Sequence, residues 1–230
     1  MIRQCFPSAR LHASTQCSVN TPDGVNALKE LGFKRIVVPR EMSLDEIKEI
    51  REKTDVELEM FVHGALCMCV SGQCYMSAML GGRSGNRGLC AQPCRLSFSA
   101  DNSGSFDLSL KDLSLIDKIK EIESAGIISL KIEGRMKSIL YVATVVNAYR
   151  MALDGCDMEL VMNELNRISH RPYTTGFMLD NDAMGSKAPL MAPESGGYIQ
   201  DYAIAAVVLD YDSERKIAHV EQRNRFFDGD

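Results

Sequence analysis

No stretch of this chain approaches the roughly 20 consecutive apolar residues that a membrane-crossing helix requires. The opening residues, MIRQCFPSARLHAS, hold two arginines with no apolar run behind them, which argues against a secretory signal there. Positive charge is not in excess either. Lys+Arg 26 against Asp+Glu 31 leaves a formal charge of -5, so the whole chain does not attract nucleic acid or an anionic membrane. Any such partner must meet a local basic patch. The sequence lacks HExxH, G-x-S-x-G and any RNA-recognition fold signature. Histidines number only 4. A disordered chain is excluded, because 45% of the residues are hydrophobic. The expected location is the reducing cytoplasm.

What the chain does have is cysteine. There are 8, and disulfides are not expected where thiols are kept reduced. Cys67, Cys69, Cys74, Cys90 and Cys94 fall in one short window, FVHGALCMCVSGQCYMSAMLGGRSGNRGLCAQPCRLSF, while Cys5, Cys17 and Cys156 are scattered. Several soft thiolates converging on one point can hold a metal, and the glycines between them let the backbone turn tightly around a small inorganic body. The spacing is not the CxxC…CxxC of a zinc ribbon. From the thiolates alone, zinc and an iron–sulfur cluster are equally admissible. Buried small hydrophobes are the plain alternative, and that reading suits Cys69, between Met68 and Val70, best. A catalytic thiol would need an adjacent base, and His63 is the only histidine nearby.

Around this window the pattern alternates strand and helix. ARLHAS reads as a strand. Thr21 or Asp23 can cap a helix through NALKELG, which Gly32 ends. KRIVVP reads as a buried parallel strand. Ser43 with Glu46 forms a capping box for SLDEIKEIREK, and DVELEMFV is the next strand. LIDKIKEIESAG reads as a helix and IISLKIE as a strand. KSILYVATVVNAYRMALDG, apolar on most faces, reads as a well-buried helix. Alternation of this kind implies right-handed βαβ units and a parallel sheet. The fold class expected is α/β: a partial TIM-type (β/α) barrel over 1–180 with a cysteine-rich loop at 63–98. A linker at 181–200 should follow, then the start of a small β domain at 201–230, where AIAAVVLDYD and KIAHVEQRN read as two strands joined by a turn. About four barrel strands can be counted where a closed barrel has eight, so the chain is expected to be a fragment.

Charged residues at the C-terminal ends of barrel strands are candidates for chemistry. Glu133, Arg135 and Lys137 follow one strand, and Arg40 and Glu41 end another. Glu59 points to one side of its strand, and His12 and Gln16 sit on LHASTQ. Arg40 could clamp a carboxylate. Structural ion pairs and a core histidine are the competing readings. Arg83, Arg87, Arg95 and Arg171, with Tyr173 as a stacking ring, could form a local RNA-binding patch. Solvated arginines and core aromatics compete with that reading.

The stretches LHASTQ (11–16), ELEMFVHGALC (57–67), SGQC (71–74), NRGLCAQPCR (86–95), SLKIEGRMKS (129–138) and HRPYTTGF (170–177) resemble the peptidase U32, or collagenase-like protease, family. With IAHVEQRN (217–224), the combination is most similar to its prephenate-dependent tRNA uridine hydroxylase branch. The resemblance implies an α/β barrel of TIM type followed by a small β domain. It also implies a 4Fe-4S cluster on Cys67, Cys74, Cys90 and Cys94, and hydroxylation of wobble uridine in tRNA with prephenate as co-substrate. Sister branches act on ribosomal RNA or in quinone hydroxylation, and the family name carries proteolysis. A zinc-stabilised scaffold without catalysis is the remaining alternative.

Overall fold

The computed structural model of the protein describes residues 2–99, 105–179, 198–227 and 229. A short helix α1 (Ile2–Cys5) leads to β1 (Leu11–Ala13). Thr21 then caps α2 (Pro22–Glu30), its hydroxyl accepting from the Gly24 N–H, and Pro22 stands in the first turn where no donor is needed. Gly32, at φ 91°, turns the chain into β2 (Phe33–Val37). The Ser43–Glu46 capping box forms as expected and starts α3 (Leu44–Lys53), which delivers the chain to β3 (Glu57–Ala65).

After β3 come α4 (Met76–Gly81) and two single 3-10 turns, Gly85–Arg87 and Pro93–Arg95. The small antiparallel pair β4 (Ser97–Ser99) and β5 (Ser105–Asp107) follows, then β6 (Asp112–Ser114). LIDKIKEIESAG is split between a 3-10 turn at Ile116–Lys118 and α5 (Ile119–Ser124). The rest is β7 (Ile127–Ile132), α6 (Ile139–Leu153), α7 (Met158–Leu165), β8 (Tyr173–Thr174), β9 (Ala206–Asp212) and β10 (Ile217–Gln222).

The main sheet has six strands in a mixed α/β arrangement. β3 is its centre, parallel to β2 and to β7, and β1 extends the parallel set beside β2. One pairing departs from the all-parallel expectation. β6 runs antiparallel to the end of β3, with His63 opposite Ser114, and it carries β8 in parallel.

Alternation along β3 separates two environments. Leu58, Met60 and Val62 are almost fully buried, in one core with Val25, Ile47, Ile50, Ile122, Val145 and Val161 from the helices. Each such side chain contributes about 1.5–3 kcal/mol relative to staying in water. Glu57, Glu59 and Phe61 alternate with them. The carboxylates of Glu57 and Glu59 both meet Arg35 of β2, and Glu59 also meets Ser129 and Lys131 of β7, so this second set of side chains carries a ladder of charge.

The α6 segment corrects one expectation. Tyr141, Thr144, Val145, Ala148 and Tyr149 form a buried stripe at helical spacing. Ile139 is 90% exposed, and Leu140, Val142, Val146 and Leu153 also face outward. The helix is therefore buried on one face only. The expected strands near the end form the antiparallel hairpin β9–β10, whereas most of the expected linker, 180–197, lies outside the described residues.

Candidate cysteine-lined site

The cysteine excursion leaves the sheet at the C-terminal end of β3, and its path is set by close backbone contacts. A Cβ on Gly64 (φ +106°) would stand 2.6 Å from the Glu133 carbonyl oxygen, so only glycine lets β3 lie against the segment after β7. Gly72 (φ +82°) is held in the same way, since a Cβ there would come within 2.6 Å of the Gln16 carbonyl oxygen. Between them Ser71 is buried. Its N–H and hydroxyl both donate to the Glu41 carboxylate at 2.8 Å, and its carbonyl accepts from the Ser18 hydroxyl at 2.8 Å.

The far end is fixed by Arg95. One of its terminal nitrogens donates to the Leu66 carbonyl at 2.6 Å and the other to the Leu110 carbonyl at 3.0 Å. A single guanidinium thus bonds the residue before Cys67 and the segment that returns to the sheet. Ser77, buried on α4, accepts from the Ala91 N–H at 2.9 Å and ties the helix to the Cys90–Cys94 turn.

These constraints enclose a cavity of about 270 Å³, and the side chains of Cys67, Cys74, Cys90 and Cys94 all line it. Cys69 does not line it. It is only half-buried, with burial first and then the Cys74 thiol pushing its own thiol up, so Cys69 is not the simple buried hydrophobe that its apolar neighbours suggest. Burial pushes the Cys67 and Cys94 thiols up, Arg40 and Arg95 respectively oppose this, and the other cavity cysteines push both up further. The Cys90 sulfur accepts from the Gln92 N–H at 3.3 Å. Four soft donors, a backbone N–H aimed at one of them and two adjacent guanidiniums are a donor set suited to a thiolate-bound metal centre. Among the described residues, no three His, Cys, Asp or Glu side chains are gathered closely enough to hold one metal ion.

Arg40, Glu133 and Arg135 also line this cavity. The Arg40 guanidinium lies 3.7 Å from the centre of the Phe61 ring and 3.5 Å from the Glu133 carboxylate. Burial pushes it down from its ordinary value, against the pull of Cys67, Glu133 and Glu41. The Arg135 N–H donates to the other Glu133 oxygen at 3.0 Å. Gln16 lines the cavity as well, but His12 is exposed and does not. Glu59 stands apart from the cavity. Its carboxylate accepts from Arg35 at 3.0 Å, Ser129 at 2.9 Å and Lys131 at 3.1 Å. Burial pushes Glu59 up, but the bonds from Lys131, Ser129 and Arg35 outweigh it and hold the carboxyl below its usual range. Lys131 itself reaches the cavity wall.

Of the proposed RNA contacts, Arg83 and Arg87 are exposed. Arg171 is not available, for it is 1% exposed and its guanidinium is held by the fully buried Asp112. Tyr173 is likewise turned inward, its ring stacked 4.3 Å from that of His170 and its hydroxyl buried. Arg95 serves the loop. From sequence alone Glu41 is only the neighbour of Arg40 at a strand end, and neither Ser71 nor Lys131 stands out. Glu41 carried a signal, since it follows Arg40 off the same strand, but nothing local to Ser71 named its partner 30 residues away.

The sequence profile of peptidase family U32 matches residues 1–187. The tRNA hydroxylation protein P1 of Bacillus subtilis is 36% identical over 99% of this chain and 58% of its own length. The 23S rRNA 5-hydroxycytidine synthase of Escherichia coli is 44% identical over 65% of this chain and 24% of its own. A collagenase of Porphyromonas gingivalis is 34% identical over 63% of this chain and 40% of its own length. The chain thus spans little more than half, or less, of these relatives. No solved structure gives a significant match. The chain belongs to peptidase family U32.

Proposed function

We propose that this member of peptidase family U32 carries the cluster-holding part of an RNA hydroxylase, of the kind that hydroxylates uridine in tRNA. The observation that supports this most directly is the single cavity lined by Cys67, Cys74, Cys90 and Cys94, in a chain matched along 99% of its length by a tRNA hydroxylation protein. A 4Fe-4S cluster bound by those four thiolates would supply one-electron redox chemistry at the cavity. Arg40, held by Glu133 and Phe61, is placed to orient a carboxylate such as prephenate carries. Arg135 adds a second cation at the wall. Glu41 and Arg95 keep the loop in shape, and the Arg95 guanidinium also favours the thiolate of Cys94. The sheet and its helices fit part of a (β/α) barrel, with the site at the C-terminal ends of the strands, and β9–β10 fits the beginning of a small β domain.

A tetrahedral zinc site would need sulfurs about 3.8 Å from one another, given a Zn–S bond of about 2.3 Å. Thiols that share a cavity without closing on one point suit a larger polynuclear body better. Proteolysis finds less support. Both His63 nitrogens lack a hydrogen-bond partner and His170 Nδ1 is bonded to the Arg171 carbonyl, so neither histidine is poised beside a nucleophile. The test uses the full-length protein, purified without oxygen and returned to a deletion strain. The expected result is about four irons with matching sulfide per chain and 5-hydroxyuridine restored in tRNA, both lost with Cys90→Ser. Colourless protein with one zinc, or unchanged tRNA modification in Cys90→Ser, would overturn the reading.

A further inference from the structure

Residues 60–100 contain three arginines and no Asp or Glu, although the whole chain has net charge -5. The local sign of charge is therefore reversed around the cysteine-lined cavity. Helix α4 stands in this acid-free segment and has two unlike sides. Met76 lines the cavity, and Ser77 is buried and bonded to the backbone of Ala91. Tyr75 and Met79, four residues apart and so on one helical face, are 60% and 83% exposed. Arg83 follows just beyond the helix and is exposed, its Nε fixed by the Leu89 carbonyl at 2.9 Å. Arg87 is exposed on the next turn. Among the described residues no carboxylate forms an ion pair with Arg83 or Arg87.

An aromatic ring, a methionine and two uncompensated guanidiniums, all exposed within one short acid-free segment, match a single-stranded polynucleotide, whose bases offer flat apolar faces and whose phosphates take the cations. A duplex hides those base faces. A second copy of this chain fits poorly, because a twofold contact would set guanidiniums against guanidiniums with no acid in the segment to offset them.

We infer that the exposed surface of α4 and the turn after it, carrying Tyr75, Met79, Arg83 and Arg87, docks an unpaired stretch of the RNA substrate. A nucleotide flanking the target stacks on Tyr75, and the target itself passes over the helix, about 10 Å across, into the cavity behind it. This rests on the RNA-hydroxylase reading above.

The test measures fluorescence anisotropy with the full-length, iron-loaded protein, a short RNA hairpin with an unpaired uridine-containing loop, and the same strand closed into a duplex. Wild type should prefer the hairpin. Tyr75→Ala should weaken hairpin binding about tenfold while Tyr75→Phe keeps it. Arg83→Ala combined with Arg87→Ala should flatten the plot of log affinity against log salt by about 1.4, from about 0.7 for each phosphate contact on a single strand. Met79→Glu, which stands away from the ligand Cys74, should also weaken the hairpin and serves if Tyr75→Ala loses iron. Unchanged affinity and salt slope in iron-replete variants would sink the docking face alone. So would a change in the mass of the protein in solution without a change in RNA affinity, which would mark a protein interface. A wild type that binds neither RNA would take the RNA-hydroxylase reading down with it.

Discussion

His63 occupies an unusual setting for an imidazole. It is 1% exposed, neither ring nitrogen has a hydrogen-bond partner, and the rings of Tyr141, Tyr149 and Tyr173 stand 5.3–6.2 Å away. Burial pushes its pKa down to about 4, helped by His170 and Lys137 and opposed by Asp112. An unfolded histidine titrates near 6.5. Between those two values the unfolded chain binds a proton that the folded chain refuses, so stability rises with pH across this window and falls as pH drops from about 6.5 to 4. At pH 5 the loss relative to pH 8 should be about 2 kcal/mol from this residue, at about 1.36 kcal/mol per pH unit. Because both nitrogens are unpaired, His63→Phe removes a buried polar group without stranding a partner. The variant should unfold at the same urea concentration as the parent, or a higher one, at pH 8, and should lose most of the extra acid sensitivity. A variant as acid-sensitive as the parent would show that another group carries the pH dependence. Asp112 and Arg171, nearby, are the opposite case: a buried pair in which removing either partner leaves an uncompensated charge.

At the scale of elements, the excursion after β3 holds its shape mainly through what its turns touch, since its regular structure amounts to one short helix and two single turns. Gly72 is where this is most exposed to test. Alanine there would need a left-handed backbone and would drive its Cβ to 2.6 Å from the Gln16 carbonyl, a backbone atom that cannot swing aside. Gly72→Ala should therefore displace the Cys67–Cys74 segment from Glu41 and reduce iron bound per chain at least severalfold. The far-ultraviolet circular dichroism should stay unchanged, because the sheet lies elsewhere. Full iron content in that variant would show that the loop tolerates the shift.

Local elements such as these were largely readable in advance. Thr21, the Ser43–Glu46 box and Gly32 act within a few residues of themselves, and each does what its chemistry suggests. Five thiols in one window pointed to a shared location, and four of them line one cavity. What could not be read were contacts set by the sheet. Glu41 meets Ser71, Arg95 meets Leu66 and Arg171 meets Asp112 across 30, 29 and 59 residues. Arg171 and Arg83 look alike in sequence, and only the register of β6 and β8 decides that one is buried and the other is not. Helix α7 was missed although Asp157 caps it, because Gly155 reads as the end of a helical run.

For the molecule as a whole, burial is distributed unevenly. The core gathers β2, β3 and the helices, whereas Val208, Leu209, Tyr211 and Ile217 of the β9–β10 hairpin are all more than half exposed. The hairpin is closed by its own ladder, with Ile217 opposite Asp212 and Gln222 opposite Ala206. A two-stranded hairpin without a packed face is at best marginally stable in water, and local opening there costs far less than global unfolding. Hydrogen exchange followed by mass spectrometry should thus separate two levels in this chain. Amides of 206–222 should exchange within the earliest time points, while those of β3, bonded on both sides and buried on both faces along most of its length, should stay protected until the whole sheet opens. Equal protection of hairpin and β3 in the 230-residue chain would mean that β9–β10 already packs on a surface that gives it the stability of the core.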